Sequence, residues 1–221
     1  MTNQHLEVIT QKAIEELEAK SLGVTEQFLE AHKIAYIGDK PNIARIDCDN
    51  KDEAIVYFHV ENERFYFSIY VDLKPNISVR WADTTPYHSV RFRVISETLS
   101  VTTMSKLTKL TPSKSANKGD RKKPNNENII WKESRIEFEP NPEADEFEAK
   151  LTKLLDYLEQ DKAGVEELVN KAECHIQVWS CFHNGNTMLG GYQINKDIIK
   201  RMGALNISID FDIYAEGNFI K

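Results

Sequence analysis

The sequence lacks nearly every pattern that would announce an address or a reaction. Its cysteines number three, Cys48, Cys174 and Cys181, so they cannot all pair within the chain. So sparse and odd a set fits a reducing compartment better than a secreted disulfide scaffold. No apolar run approaches the roughly 18 residues that a membrane-spanning helix needs. The N-terminus, Met1-Thr2-Asn3-Gln4-His5-Leu6-Glu7, has neither the basic start nor the apolar stretch of a secretory signal. A cytoplasmic location with no membrane partner is the expectation. An excess of positive charge is missing too. The formal net charge is −7, which argues against non-specific nucleic-acid binding, because phosphate attracts a cationic field. There is no nucleophile elbow, P-loop, dinucleotide fingerprint or His-Glu-x-x-His. Gly190-Gly191 is followed by no Lys-Ser/Thr pair, so it reads as a turn and not as a phosphate cradle.

What is present is an ordinary globular composition. The chain has 221 residues, 41% hydrophobic and 29% charged, enough to bury one large core or two small ones. Leu6, Ile9, Ala13, Ile14 and Leu17 recur at helical spacing, predicting a helix over residues 4–20 that Gly23 ends. Thr25 is the expected N-cap of a second helix reaching His32. The period then changes. Ile55–Val60 and Arg64–Asp72 are rich in aromatic and β-branched residues around Glu61-Asn62-Glu63, the pattern of a β-hairpin. Phe65, Phe67, Ile69 and Val71 share one face, with Tyr66, Ser68 and Tyr70 on the other. Lys74-Pro75-Asn76 turns the chain into Ile77–Trp81, and Ala44–Cys48 is a further candidate strand. Asp83-Thr84-Thr85-Pro86 is a turn cluster and the expected boundary between domains 1–85 and 86–221, unless the sheet runs through it as one unit.

The second half repeats one grammar of strand, polar loop, N-capped short helix and strand. Its first arm is the strand Ser89–Ser96, an N-cap at Ser100, a helix bearing Met104, Leu107 and Leu110, a polar loop over Thr111–Asn128, and the strand Ile129–Phe138. The loop contains Pro112, Gly119, Pro124 and five Lys or Arg residues. Asn141-Pro142-Glu143 then has the chemistry of a helix start, with Phe147, Leu151, Leu154, Leu155 and Leu158 as the buried stripe. Gly164 marks a break before Val165, Leu168 and Val169. The second arm is the strand His175–Phe182, the turn Asn184-Gly185-Asn186, a helix opened by Asn195, and a last strand in which Ile207, Ile209, Phe211 and Ile213 alternate. The fold class expected is α+β. A ferredoxin-like antiparallel sheet in the C-terminal half carries helices on one face, preceded by two helices and a small antiparallel β-meander.

Candidate chemistry is thin. Cys174, His175, Cys181 and His183 are zinc-ligand types. On one strand, however, Cys174 and Cys181 point to opposite faces about 23 Å apart at the usual rise, and buried thiols beside an exposed turn histidine are the simpler reading. Asp210 and Asp212 share a strand face at a spacing that paired carboxylates use in glycosidases, yet alternating acids also keep an exposed sheet face soluble. The lysine-rich stretch Lys114–Lys123 could meet phosphate or an acidic partner, and solvated loops commonly look the same. No catalytic residue, cofactor or metal is assigned. If helices cover Val90, Phe92, Ile136, Phe138, Ile176, Val178, Ile209 and Phe211, the opposite face presents Arg91, Arg93, Arg135, Glu137, Gln177, Trp179, Asp210, Asp212 and Tyr214. Trp, Tyr and Arg are enriched at binding hot spots. That face is an interface, either with the protein's own N-terminal meander or with another protein.

One set of motifs runs through this half: Val90-Arg91-Phe92-Arg93-Val94-Ile95-Ser96 into Leu99-Ser100, and Leu110-Thr111-Pro112-Ser113 leading to Lys118-Gly119-Asp120. Trp131 before a strand, an acidic leucine-rich helix and the closing Ile209-Asp210-Phe211-Asp212-Ile213-Tyr214 complete it. In these residues and their spacing the second half resembles the bacterial family known as domain of unknown function 4279. The resemblance implies an α+β domain of bacterial origin with no accepted catalytic residues. Small acidic proteins of this kind often accompany secreted toxins as immunity proteins. The expectation is therefore a non-enzymatic protein-binding module whose partner is a protein, such as a cognate toxin. The alternative is a small-molecule-binding or hydrolytic protein with a pocket between the halves, using Asp210, Asp212, Arg91 or His88. A regulatory or RNA-binding module is disfavoured by the net charge.

Overall fold

The computed structural model describes residues 2–123, 126–185 and 190–219. The expectations that touched Met1, Pro124 and Asn186 lie outside these residues. The chain divides into two compact units. One comprises Met1–Tyr87 with Ser180–Gly190 and Ile213–Lys221, the other His88–Trp179 with Gly191–Asp212. Each is mixed α+β.

The first unit opens with α1 (Asn3–Ala19), capped by the Thr2 side chain, and α2 (Gly23–Ala31). Gly23 does not end α1. The helix stops at Lys20, which takes a left-handed conformation with φ of 52°, and Gly23 is the first residue of α2. Thr25 is not a cap either, since it is buried within α2. Glu16 supplies the local link instead: its buried carboxylate accepts the Leu22 N–H at 3.0 Å and the Ser21 hydroxyl. A two-residue hairpin, β1 (Tyr36–Ile37) and β2 (Lys40–Pro41), leads to β3 (Ile43–Asp47), β4 (Glu53–His59), β5 (Tyr66–Asp72) and β6 (Ser78–Thr85).

These last four form one antiparallel sheet in chain order, with Val56 opposite Ile69 and Phe58 opposite Phe67. The expected alternation on β5 is present: Phe67, Ile69 and Val71 are fully buried with Ile9, Ala13 and Phe28 in the unit's core. Residues Asp83–Thr85 are strand and not a turn. Thr84 pairs with Phe67, and the Thr85 hydroxyl donates to Ser68 at 2.8 Å, so the sheet continues up to Pro86.

The second unit is built on β7 (Tyr87–Ser96), whose even positions from Val90 to Val94 are buried. Ser100 caps α3 (Val101–Ser105) by accepting the Thr103 N–H. The stretch read as a polar loop is partly strand: β8 (Lys114–Ala116), β9 (Arg121–Lys123) and β10 (Asn126–Ile130), the last two paired as a hairpin. The strand expected from Ile129 to Phe138 is broken at Trp131–Glu133 and resumes as β11 (Ser134–Phe138).

Next come α4 (Phe147–Leu158), a 3-10 turn and α5 (Lys162–Lys171). The helix does not begin at Pro142. Lys150, buried to 1% exposure, donates its ammonium to the Asn141 and Glu143 carbonyls. Asp145 meanwhile accepts from Asn141 Nδ2 and Lys153, so those carbonyls are engaged before they could start a helical ladder. The chain finishes with β12 (Glu173–His183), α6 (Lys196–Ala204), capped by Asn195, and β13 (Ser208–Glu216).

Among the described residues the strand order is β13-β12-β7-β11-β8. The two strand–helix–strand arms are contiguous in the sheet, lying side by side. One face of it is core, with Val90, Phe92, Ile136, Phe138, Ile176 and Val178 packed on Leu151, Leu154, Leu155 and Leu168. Ile209 and Phe211 are only partly buried, because β13 is the edge strand.

Gly164 lies in the first turn of α5, and the break falls earlier, at the Asp161 cap. Asp161 accepts from Gly164 N–H, Thr108 Oγ1 and Lys109 N–H, drawing the Thr108 backbone against the helix. A Cβ at Gly164 would stand 2.7 Å from Thr108 Cα. Gly164→Ala should therefore cost about 1–3 kcal/mol in chemical denaturation. Phe92→Ala, in the closed core, should cost about 3–5 kcal/mol, and Phe211→Ala, at the half-buried edge, clearly less. Equal losses at Phe92 and Phe211 would overturn the assignment of the sheet's inside and edge.

Candidate functional site

The face of β7 opposite the core carries Arg91 and Arg93, and the equivalent face of β11 carries Arg135 and Glu137. Register brings them together: Glu137 is directly opposite Arg93 on one side and Lys114 of β8 on the other. Glu137 is 7% exposed. Its carboxylate accepts from Arg91 Nη1 at 3.2 Å and lies 3.4 Å from Arg93 Nε and 3.9 Å from Arg135 Nη1. Burying an ionised carboxylate costs several kcal/mol unless cations and donors surround it, and here three guanidinium groups do so. Arg93 also donates to Gln177 Oε1 at 3.0 Å, and Gln177 Nε2 donates to Asp212 at 3.0 Å. The polar row thus runs Lys114, Glu137, Arg93, Gln177, Asp212 across five strands.

The cations are not fully satisfied by this arrangement. The Nε of Arg91, Arg93 and Arg135 are buried and make no hydrogen bond among the described residues; the 3.4 Å approach of Arg93 Nε to Glu137 lacks the alignment of one. A buried donor left in that state costs about 1–3 kcal/mol. Arg135 has its proton affinity lowered, first by burial and then by the neighbouring Arg93 charge. Its guanidinium also stacks on Trp131 with 3.7 Å from Cζ to the ring centroid, and Lys122 Nζ lies 4.5 Å from the same ring.

Together Arg91, Arg93, Lys114, Ser115, Ala116, Trp131, Arg135 and Glu137 line an open groove of about 480 Å³. Two more carboxylates flank it: Glu133 meets Arg135 at 3.3 Å, and Glu139 meets Lys114 at 3.4 Å.

The other members of the expected face lie apart from this groove. Gln177 is buried as the bridge, and Trp179 is half-buried. Asp210 and Asp212 are exposed on the edge strand, one accepting the Phe211 N–H and the other the Gln177 amide. Tyr214 is 46% exposed and falls in the first unit. Lys114 and Trp131 are groove residues that the face assignment missed, because β8 sits in a lysine-rich stretch with little strand character. A signal was present, however. Lys118-Gly119-Asp120 precedes Trp131, and the Gly119 N–H and Asp120 carbonyl pair with the Trp131 backbone at 2.9 Å each.

The Cys/His set does not converge on a site. Cys174 and Cys181 belong to different units, and burial pushes each thiol up to about 12. His183 is not an exposed turn residue; it is 2% exposed in the first unit. There His32 and His183 pack edge to face at 4.8 Å. His32 Nε2 accepts the Asn218 N–H at 2.9 Å, and His183 Nε2 lies 2.9 Å from the Asn218 carbonyl. Burial lowers the proton affinity of both rings. Their role is to hold the C-terminal segment.

These features define an α+β domain that closes one sheet face with helices and keeps the other as a lattice of charges around a cationic groove. The sequence profile of the family called domain of unknown function 4279 matches residues 85–216, more than half of the chain, and the protein belongs to that family. No curated protein and no solved structure matches the chain.

His88, a candidate in the alternative reading, is on the core face, 5% exposed and packed near Phe147 and Tyr192. Burial, with a smaller push from Lys150, brings its pKa down to about 4. A lowered folded-state pKa means that the unfolded chain binds the proton more readily. Stability is then full above about pH 6.5 and falls as the pH drops towards 4, by about 3 kcal/mol from this group. Denaturation midpoints taken from pH 7 to 4 should show a shallower decline for His88→Gln than for the native chain. Parallel curves would contradict the assignment.

Proposed function

We propose that this protein is a non-enzymatic binding module that recognises a partner protein through the charged sheet face of its second unit. The observation that carries the reading is the open groove in which Arg91, Arg93, Arg135 and Lys114 surround a single lining carboxylate, Glu137. Arginine presents fixed charge and a planar fork of donors, the chemistry of recognition surfaces. A bacterial cytoplasmic setting suits the reading, and so does an immunity-type role in which the partner is a secreted toxin. The net charge of −7 favours approach to a basic partner at long range, while the groove asks for a local acidic contact.

Of the residues named for small-molecule chemistry, Arg91, Asp210 and Asp212 are on the polar sheet face and His88 is not. His88 is on the helix-covered face and Arg91 on the opposite one, while Asp210 and Asp212 are exposed at the edge. No helix among the described residues is long and apolar enough to cross a membrane.

The test is affinity capture from the native host with the neighbouring gene product supplied. One protein should be retained stoichiometrically by the native chain and lost with Arg91→Glu/Arg93→Glu, while Lys171→Glu on the exposed side of α5 retains it. Retention by the arginine variant would falsify the assignment of this face.

A further inference from the structure

The groove has a chemistry more specific than a generic interface. Its three arginines already show what they hold, since a carboxylate, that of Glu137, sits among them at 3.2 to 3.9 Å. The three side chains remain reachable from the groove, at 23%, 19% and 13% exposure for Arg91, Arg93 and Arg135. The groove is bounded by β8, which among the described residues ends the sheet order beside β11 and carries the exposed residues Lys114 and Ser115.

We infer that the groove takes the carboxylate side chains of an acidic segment of the partner protein, laid on the open polar face with its acids directed at Arg91, Arg93 and Arg135. The inference rests on the proposed binding role of this face. Two properties favour an acidic peptide over single-stranded nucleic acid. The aromatic ring at the site, Trp131, already carries Arg135 at 3.7 Å and Lys122 at 4.5 Å, so it is engaged by cations where a base would need to stack. The arginines also converge on one carboxylate from adjacent positions, and are not strung along a track for a continuous phosphate backbone. The chain's overall negative charge is screened beyond about 8 Å at physiological ionic strength, so it does not forbid a local acidic contact.

The experiment uses the full chain and a fluorescein-labelled hexaglutamate peptide, followed by anisotropy, with hexaglutamine as the neutral control. The expected result is saturable binding of hexaglutamate that weakens as salt is raised, with no binding of hexaglutamine. Arg91→Ala and Arg93→Ala, each checked for folding by circular dichroism, should weaken it at least tenfold, and Lys171→Ala should not change it. Hexaglutamate binding that survives both arginine substitutions overturns the inference, as does no hexaglutamate binding at all. Tighter, arginine-dependent binding of a labelled hexauridine RNA, or displacement of the peptide by micromolar inorganic phosphate, also overturns it, because the groove would then read phosphate. If partner capture still depends on Arg91 and Arg93 while hexaglutamate fails to bind, the binding face stands and only its acidic specificity falls.

Discussion

Glu137 sits in the middle of a sheet face with its carboxylate nearly closed off from water, and an ionised carboxylate is tolerated there only when cations and donors enclose it. Much of the second unit can be read as the means of enclosing it. The antiparallel register places Arg93 opposite Glu137 on β7 and Lys114 opposite it on β8. Arg91 and Arg135 close in from the neighbouring same-face positions. A slip of one residue between β7 and β11 would turn Glu137 into the helix-covered core and Ile136 out of it. Charge and hydrophobic alternation therefore specify the same register, each penalising the slip that the other also forbids. Gln177 extends the constraint to β12 and β13 by accepting from Arg93 and donating to Asp212.

This constraint explains which parts of the fold were legible in the sequence. Period-2 alternation in Val90-Arg91-Phe92-Arg93-Val94 and in Arg135-Ile136-Glu137-Phe138 names both faces of the sheet, because one-sided burial leaves its mark on every second residue. Ser100 and Asn195 cap the helices expected of them, since a cap depends only on residues within one turn. Asn141-Pro142-Glu143 has equally good local chemistry and starts no helix. The carbonyls there are taken by Lys150, a residue of the following helix, and no local rule anticipates that a lysine will be buried to do this. Gly164 misleads for a related reason. Its importance comes from the approach of Thr108, far away in sequence, and not from helix breaking.

The groove was half legible. Its arginines and glutamate follow from strand alternation, whereas Lys114 and Trp131 do not. β8 is a three-residue edge strand, exposed at Lys114 and Ser115, so hydrophobicity leaves no periodic trace on it. Its place in the sheet is set by bonds with Glu137: the Ser113 N–H and hydroxyl both donate to the Glu137 carbonyl, at 2.8 and 2.9 Å. The residue whose side chain organises the arginines thus also anchors, through its main chain, the strand that bounds the groove. Such coupling is tertiary, and a single sequence reveals it only once the strands have been placed side by side.

The buried histidines and the residues of the groove are held in different ways. General acid–base work needs a group that reaches its substrate with a pKa near the working pH. His32, His88 and His183 are each 6% exposed or less, with proton affinities lowered chiefly by burial, and two of them hold the Asn218 backbone. They are structural groups enclosed within their own units. The groove, by contrast, is lined by guanidinium and ammonium groups and by a carboxylate already held by them. Fixed charges in a fixed register can select a partner by sign and spacing without exchanging a proton with it. The interaction that stabilises the sheet thus also arranges the face, and under the proposed role it would set the charges that a partner meets.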